Sequence, residues 1–406
     1  MTRSGDFSLR LTPSFVDGVL VSAGAIADAT VIYCGSTCID ERAFATVMRH
    51  DLAQTLVATG GATRLVTTFT DYSVAPMGTA RVVEETALKV LRTRRPGVLV
   101  LAELSRVTIA GEDLRGTCEA LRATLPVPIV AATSRTLVRD ASDALAGVLE
   151  GLARALPDAA FDGGLVPDRV ALIGYDLERA EGDHVGNLEC LGTALAAVGL
   201  YLAPPWLSGA TFARLQEAAR ASLILALPEG RQAASVLAAR SGARVLEVGL
   251  PVGLASTSAW LRGVATACGR PDAAEPFIEA QLARIVPRLD WVTERLAGRR
   301  VGLCLAPGWL DAVEPMLTRE LGIDVAFALA RARLPPEDAA APPGRSYDPT
   351  VADVRDRIRR ARDEGGLDLL VASSWEATAA GGLLDGVGLV EFGYPSFDRH
   401  FLRPTP

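Results

Sequence analysis

Short apolar runs rich in β-branched residues recur along the chain, each followed by a stretch in which Ala, Leu and Arg repeat at helical spacing. The runs predict strands at Ala29–Tyr33, Arg64–Thr68, Val98–Glu103, Pro128–Ala132, Arg169–Ile173, Ser222–Leu227, Arg244–Val248, Arg300–Leu305, Asp324–Leu329, Leu367–Ala372 and Gly388–Phe392. Between them, Gly78–Arg94 and Thr211–Ala221 read as amphipathic helices. The runs are continuous rather than alternating, the pattern of strands covered on both faces, and that means parallel sheets with helices on either side. Right-handed crossovers then give α/β units that are doubly wound and Rossmann-like.

Two seams interrupt this rhythm. Leu156–Arg169 is rich in Pro, Gly and Asp before a fresh strand, and Arg288–Arg300 closes a helix on a charged Gly-Arg-Arg. They predict three successive domains at 1–162, 163–296 and 297–406. A Pro-rich segment, Leu334–Pro349, reads as a surface loop within the last of these.

Composition narrows the chemistry. The 406 residues are 49% hydrophobic with a net charge of −7, so a nucleic-acid or anionic-membrane surface is not expected. Lys89 is the only lysine and lies in a helical stretch without glycines, which excludes P-loop and Schiff-base enzymes. The N-terminus leads into no long apolar segment, and no run is long enough to span a bilayer. A cytoplasmic chain with reduced thiols is the expectation, its six cysteines serving as small buried residues or metal ligands.

Four segments are candidates for chemistry. Tyr33-Cys34-Gly35-Ser36-Thr37-Cys38 follows a strand directly, and loops at the carboxyl ends of such strands face the ligand crevice. Cys34 and Cys38 could present thiolates to iron or zinc there, or be buried packing residues. Thr70–Gly78 opens a long helix, and an ordinary capped start accounts for it as well as an anion site does. Leu101–Leu114 runs from a strand end to an acidic helix start, with Ser105 placed for chemistry or capping. The ending, Glu391–Arg403, interleaves aromatics with Asp398, Arg399 and His400, a composition suited to an interface. Cys118, Cys190, Cys268 and Cys304 have no close partners in sequence and read as structural.

In order and spacing these segments resemble the nitrogenase component-1 superfamily, and the β-type subunits most. The resemblance rests on Cys34-Gly35-Ser36-Thr37-Cys38 with Arg49-His50 following, and on Ile109-Ala110-Gly111-Glu112-Asp113-Leu114. Its most specific part is Gly393-Tyr394-Pro395-Ser396-Phe397-Asp398-Arg399-His400-Phe401-Leu402. Looser matches at Leu172–Tyr175 and Leu250–Gly253 extend it over almost the whole chain. It implies three Rossmann-like domains and a place for Cys38 as ligand to an electron-relay cluster. The family's other cysteine positions fall on Ser105 and near Pro13, where Asp17 is the nearest carboxylate. The position of the catalytic-cofactor cysteine of nitrogenase α subunits falls near Pro228.

The resemblance therefore implies a β-like subunit of a two-component, ATP-dependent reductase. Cys38, with Cys34, would complete a [4Fe-4S] cluster shared with an α-like partner in a heterotetramer. Phe397, Asp398, Arg399 and His400 would lie at the interface. A separate ATP-hydrolysing [4Fe-4S] reductase would supply electrons, and a tetrapyrrole is the expected substrate class. The rival reading is a non-catalytic scaffold for metallocofactor or tetrapyrrole assembly. A third keeps only the fold, as a small-molecule binding protein.

Overall fold

The computed structural model describes residues 9–35, 39, 64–68, 80–103, 111–133, 138–175, 183–333, 342 and 344–396. Among these residues thirteen strands form three sheets, and all neighbouring strands pair in parallel: β1 (Ala29–Cys34), β2 (Leu65–Thr67), β3 (Val98–Glu103) and β4 (Ile129–Ala132); β5 (Val166–Ile173), β6 (Tyr201–Leu202), β7 (Ala221–Ala226) and β8 (Arg244–Glu247); β9 (Arg300–Leu305), β10 (Asp324–Ala330), β11 (Arg345–Tyr347), β12 (Leu369–Ala372) and β13 (Gly388–Glu391). The sheet orders are β2-β1-β3-β4, β6-β5-β7-β8 and β11-β10-β9-β12-β13. In each, the first strand is interior and the winding reverses beside it, creating a switch point at the carboxyl ends of β1/β3, β5/β7 and β9/β12.

The central strands β1 and β3 are buried along their whole length on both faces, as continuous apolar runs require. In the first sheet Val31, Tyr33, Val98 and Val100 face one cluster, while Ile32, Cys34, Leu99 and Leu101 face another. The first cluster is closed by α1 (Phe15–Gly24) and by the helix Ala141–Ala155. The second is closed by α2 (Ala80–Thr93) and α3 (Leu114–Thr124), through Val83, Ala87, Val90, Leu114, Cys118 and Leu121.

The chain divides into two compact units, Ser14–Arg179 with Gly199–Val248, and Met1–Pro13 with Ala180–Val198 and Gly249–Pro406. The first holds two sheets with one shared core, in which Val148 and Ile173 belong to the same cluster as Trp206 and Leu237. The second holds the five-stranded sheet. Residues 9–11 belong with that sheet: Leu11 N–H donates to the Pro349 carbonyl, Val351 N–H to the Leu9 carbonyl, and Arg10 pairs with Asp348.

Two short strands arise where the sequence pattern predicts none. Arg345–Tyr347 lies in the segment read as a surface loop, yet it adds an edge strand to β10. Tyr201–Leu202 pairs with β5. Both are edge strands of only two or three residues, too short to carry an apolar run. The helix expected over Thr211–Ala221 is a single α turn, Phe212–Leu215, followed by a 3-10 segment, Gln216–Arg220.

Candidate functional site

The carboxyl edge of the first sheet is where the cysteine segment begins. β1 closes on Cys34, and the next amide, Gly35 N–H, donates to Thr68 Oγ1 at 3.0 Å, tying the end of β1 to the end of β2. Cys34 is in register with Glu103, the last residue of β3. Glu103 accepts a 2.7 Å ion-pair hydrogen bond from Arg139, with both side chains 5% exposed. Arg139 also stacks over Phe15 at 4.3 Å from the ring centroid. A buried guanidinium is tolerable only with such compensation.

Cys34 itself is fully buried, in the cluster that includes Cys118. Burial above all, then the neighbouring Cys118, Glu103 and Glu112, pushes its thiol far above the ordinary cysteine range. Cys118 is pushed up to about 12, chiefly by burial. Both are thiols at neutral pH and behave as small apolar residues. Asp17 is fully buried at the third position of α1, where its carboxylate accepts Ser14 N–H at 2.9 Å and Ser14 Oγ–H at 2.7 Å. The Ser14 hydroxyl in turn accepts Asp17 N–H, completing a capping box.

Cys38, Ser105, Phe397, Asp398, Arg399 and His400 lie outside the described residues, as do Thr70–Gly78 and Arg49-His50. Among the described residues no group of three or more His, Cys, Asp or Glu side chains could hold a metal ion. Cys34 and Asp17, the two expected ligands that are described, are committed to the core and to a helix cap. The described residues therefore do not by themselves fit an iron–sulfur cluster.

The carboxyl edge of the five-stranded sheet carries a second buried polar constellation. Arg331, just past β10, reaches Glu376 at 3.1 Å, with side chains 4% and 0% exposed. Glu376 accepts Ser373 N–H at 3.0 Å and Ser373 Oγ–H at 2.5 Å, and Ser374 hydrogen-bonds Glu391 at the end of β13. Ser374 N–H donates to the Pro395 carbonyl, joining this cluster to the cis Tyr394-Pro395 turn. The middle sheet is closed differently. Gly174 and Gly230 meet backbone to backbone, and a Cβ on Gly230 would stand 2.2 Å from the Ile173 carbonyl oxygen.

Sequence reasoning passed over Glu103, Arg139, Arg331 and Glu376. The one available signal was Glu103, a carboxylate ending an otherwise apolar strand. Cys118, Cys268 and Cys304 sit on a helix, at a helix end and in a strand, as expected, and Cys190 is exposed on the helix Asp183–Ala197.

Three parallel, doubly wound sheets define an α/β protein of the Rossmann-like kind. The family profile for nitrogenase component 1 type oxidoreductases matches residues 15–406, and the chain belongs to that family. Two solved structures share the fold. Nitrogenase Cp1 at pH 6.5 aligns over 99% of this chain and 89% of its own, with a TM-score of 0.79 and 14% identity. Nitrogenase Cp1 at pH 5 aligns over 97% and 85%, with a TM-score of 0.72 and 14% identity. No curated protein sequence matches the chain. No helix among the described residues is long and apolar enough to cross a membrane.

Proposed function

We propose that this chain is a β-like subunit of a two-component, nitrogenase-like reductase, assembled with an α-like subunit as a cytoplasmic heterotetramer. The observation that carries the reading is the family match from residue 15 to 406, together with the ending Gly393–Leu402. Lys89 lies exposed in the middle of α2, so a separate reductase must supply ATP hydrolysis and single electrons. Domains at 1–162, 163–296 and 297–406 are part of the same reading.

In this reading the chain's share in an interfacial [4Fe-4S] cluster reduces to Cys38, because Cys34 and Asp17 are already in use. The partner would supply the remaining thiolates, and Phe397 to His400 would contact it. A tetrapyrrole is the proposed substrate class. Anaerobic co-purification with the α-like partner, followed by iron and sulfide quantification, tests the cluster. A brown complex that bleaches in Cys38→Ala supports it, and a colourless, iron-free wild-type complex overturns it.

The withdrawal of Cys34 and Asp17 from ligand duty also favours a second reading, a non-catalytic half that scaffolds cofactor or tetrapyrrole assembly. Transfer of a bound precursor to an acceptor protein, without turnover by the complex, would mark the scaffold.

A further inference from the structure

A groove of about 390 Å³ opens between β2 and α2. The volume is in the range of small-ligand sites. Its walls are more apolar than their residue names suggest. Val66, Val82 and Val90 contribute aliphatic surface. The two threonines of α2 turn their hydroxyls to the backbone: Thr86 Oγ–H donates to the Val82 carbonyl at 2.7 Å and Thr93 Oγ–H to the Lys89 carbonyl at 3.0 Å. Thr68 Oγ1 is engaged by Gly35 N–H.

The lining carboxylate of the groove already has a cation beside it. Glu85 is held by Arg81 at 2.9 Å, one turn back along α2. That leaves the Lys89 ammonium, the chain's only lysine, exposed at the groove with no ion pair among the described residues. An apolar cleft whose ammonium has no ion pair among the described residues is complementary to an amphipathic anion, whose tail is desolvated while its head meets the ammonium.

We infer that this groove binds a monocarboxylate carrying an apolar body. Its occupant would rest against Thr68, the side chain that holds Gly35 and hence the root of the cysteine segment. The inference does not depend on the cluster: none of the groove's lining residues is a candidate ligand.

Isothermal titration of the full-length protein with sodium octanoate tests it, with 1-octanol as the neutral control. Octanoate should bind saturably, octanol at least about tenfold more weakly, and Lys89→Gln should weaken octanoate by about tenfold, the loss of one charge-assisted contact. Thr86→Trp should fill the groove and abolish binding. Lys89 is exposed, so its variant leaves the fold intact. The inference is overturned by absent or non-saturable binding, by equal affinity for octanol, or by Lys89→Gln or Thr86→Trp binding octanoate like the wild type.

Discussion

The first and third sheets end their switch points alike in chemistry and differently in support. Each places a buried Arg–Glu pair where doubly wound proteins usually open a ligand crevice, Arg139–Glu103 in one and Arg331–Glu376 in the other. Arg139 has a second support in the Phe15 ring. Among the described residues the Nε and Nη2 of Arg331 make no hydrogen bond, and its Nε is held by the 3.1 Å ion pair to Glu376. Coulomb attraction can stabilise a buried guanidinium, but the cost of losing it depends on what else touches the cation.

Breaking the pairs separately measures that difference. Glu376→Leu should destabilise its unit by about 3–5 kcal/mol, the range for stranding a buried charge. Glu103→Leu should cost less, because a cation–π contact worth about 2 kcal/mol remains to Arg139. Urea unfolding of each variant checks the order. Equal losses would mean that the Phe15 contact contributes nothing. The double change Arg331→Met with Glu376→Leu should recover most of the loss, since an apolar pair avoids the desolvation cost.

The middle sheet sharpens the contrast, because it closes its switch point with backbone rather than charge. Gly230→Ala puts a methyl against the Ile173 carbonyl, and overpacking of this kind costs about 3 kcal/mol. Gly242→Ala has open space around its Cβ and pays only for its positive φ of 75°. Gly230→Ala should therefore lower Tm further than Gly242→Ala, and the reverse order would remove the packing argument.

Much of this arrangement was legible in the sequence, and the illegible part has a physical reason. A strand such as Ala29–Cys34 is buried on both faces and must be apolar throughout, so it announces itself. Arg345–Tyr347 and Tyr201–Leu202 sit at sheet edges and carry no such run. The ion pairs join residues that no local pattern connects, Glu103 and Arg139 being 36 positions apart. Asp17 looked like the nearest carboxylate to a missing ligand position because spacing shows where a residue is, and not which hydrogen bonds it already makes.

The two thiols buried between the first sheet and the helices α2 and α3 give a pH test of the same region. Cys118 rises from an ordinary value of 9.0 to about 12 on folding, mainly through burial, and Cys34 rises further. A raised folded value means that the native state holds its proton more tightly, so this stability is fully present below pH 9 and is lost as pH climbs toward the folded values. Each pH unit in that window should remove about 1.4 kcal/mol per thiol. Cys118→Ala should flatten the slope of unfolding free energy against pH between 9 and 12.

The smallest expected effect separates the two units at their helix caps. Ser14/Asp17 and Thr350/Asp353 form the same capping box, the first with a fully buried carboxylate and the second exposed to solvent. Removing a cap hydroxyl costs about 1 kcal/mol where water can replace it, and more where a buried carboxylate is left short of a donor. Ser14→Ala should therefore cost about 2 kcal/mol and Thr350→Ala about 1 kcal/mol, by urea unfolding. Asp17→Asn carries the comparison back to function. If Asp17 is a capping residue, the variant loses stability to a similar degree and the iron content of the assembled complex does not change. Loss of iron with stability intact would return Asp17 to the ligand set and undo its assignment to the helix.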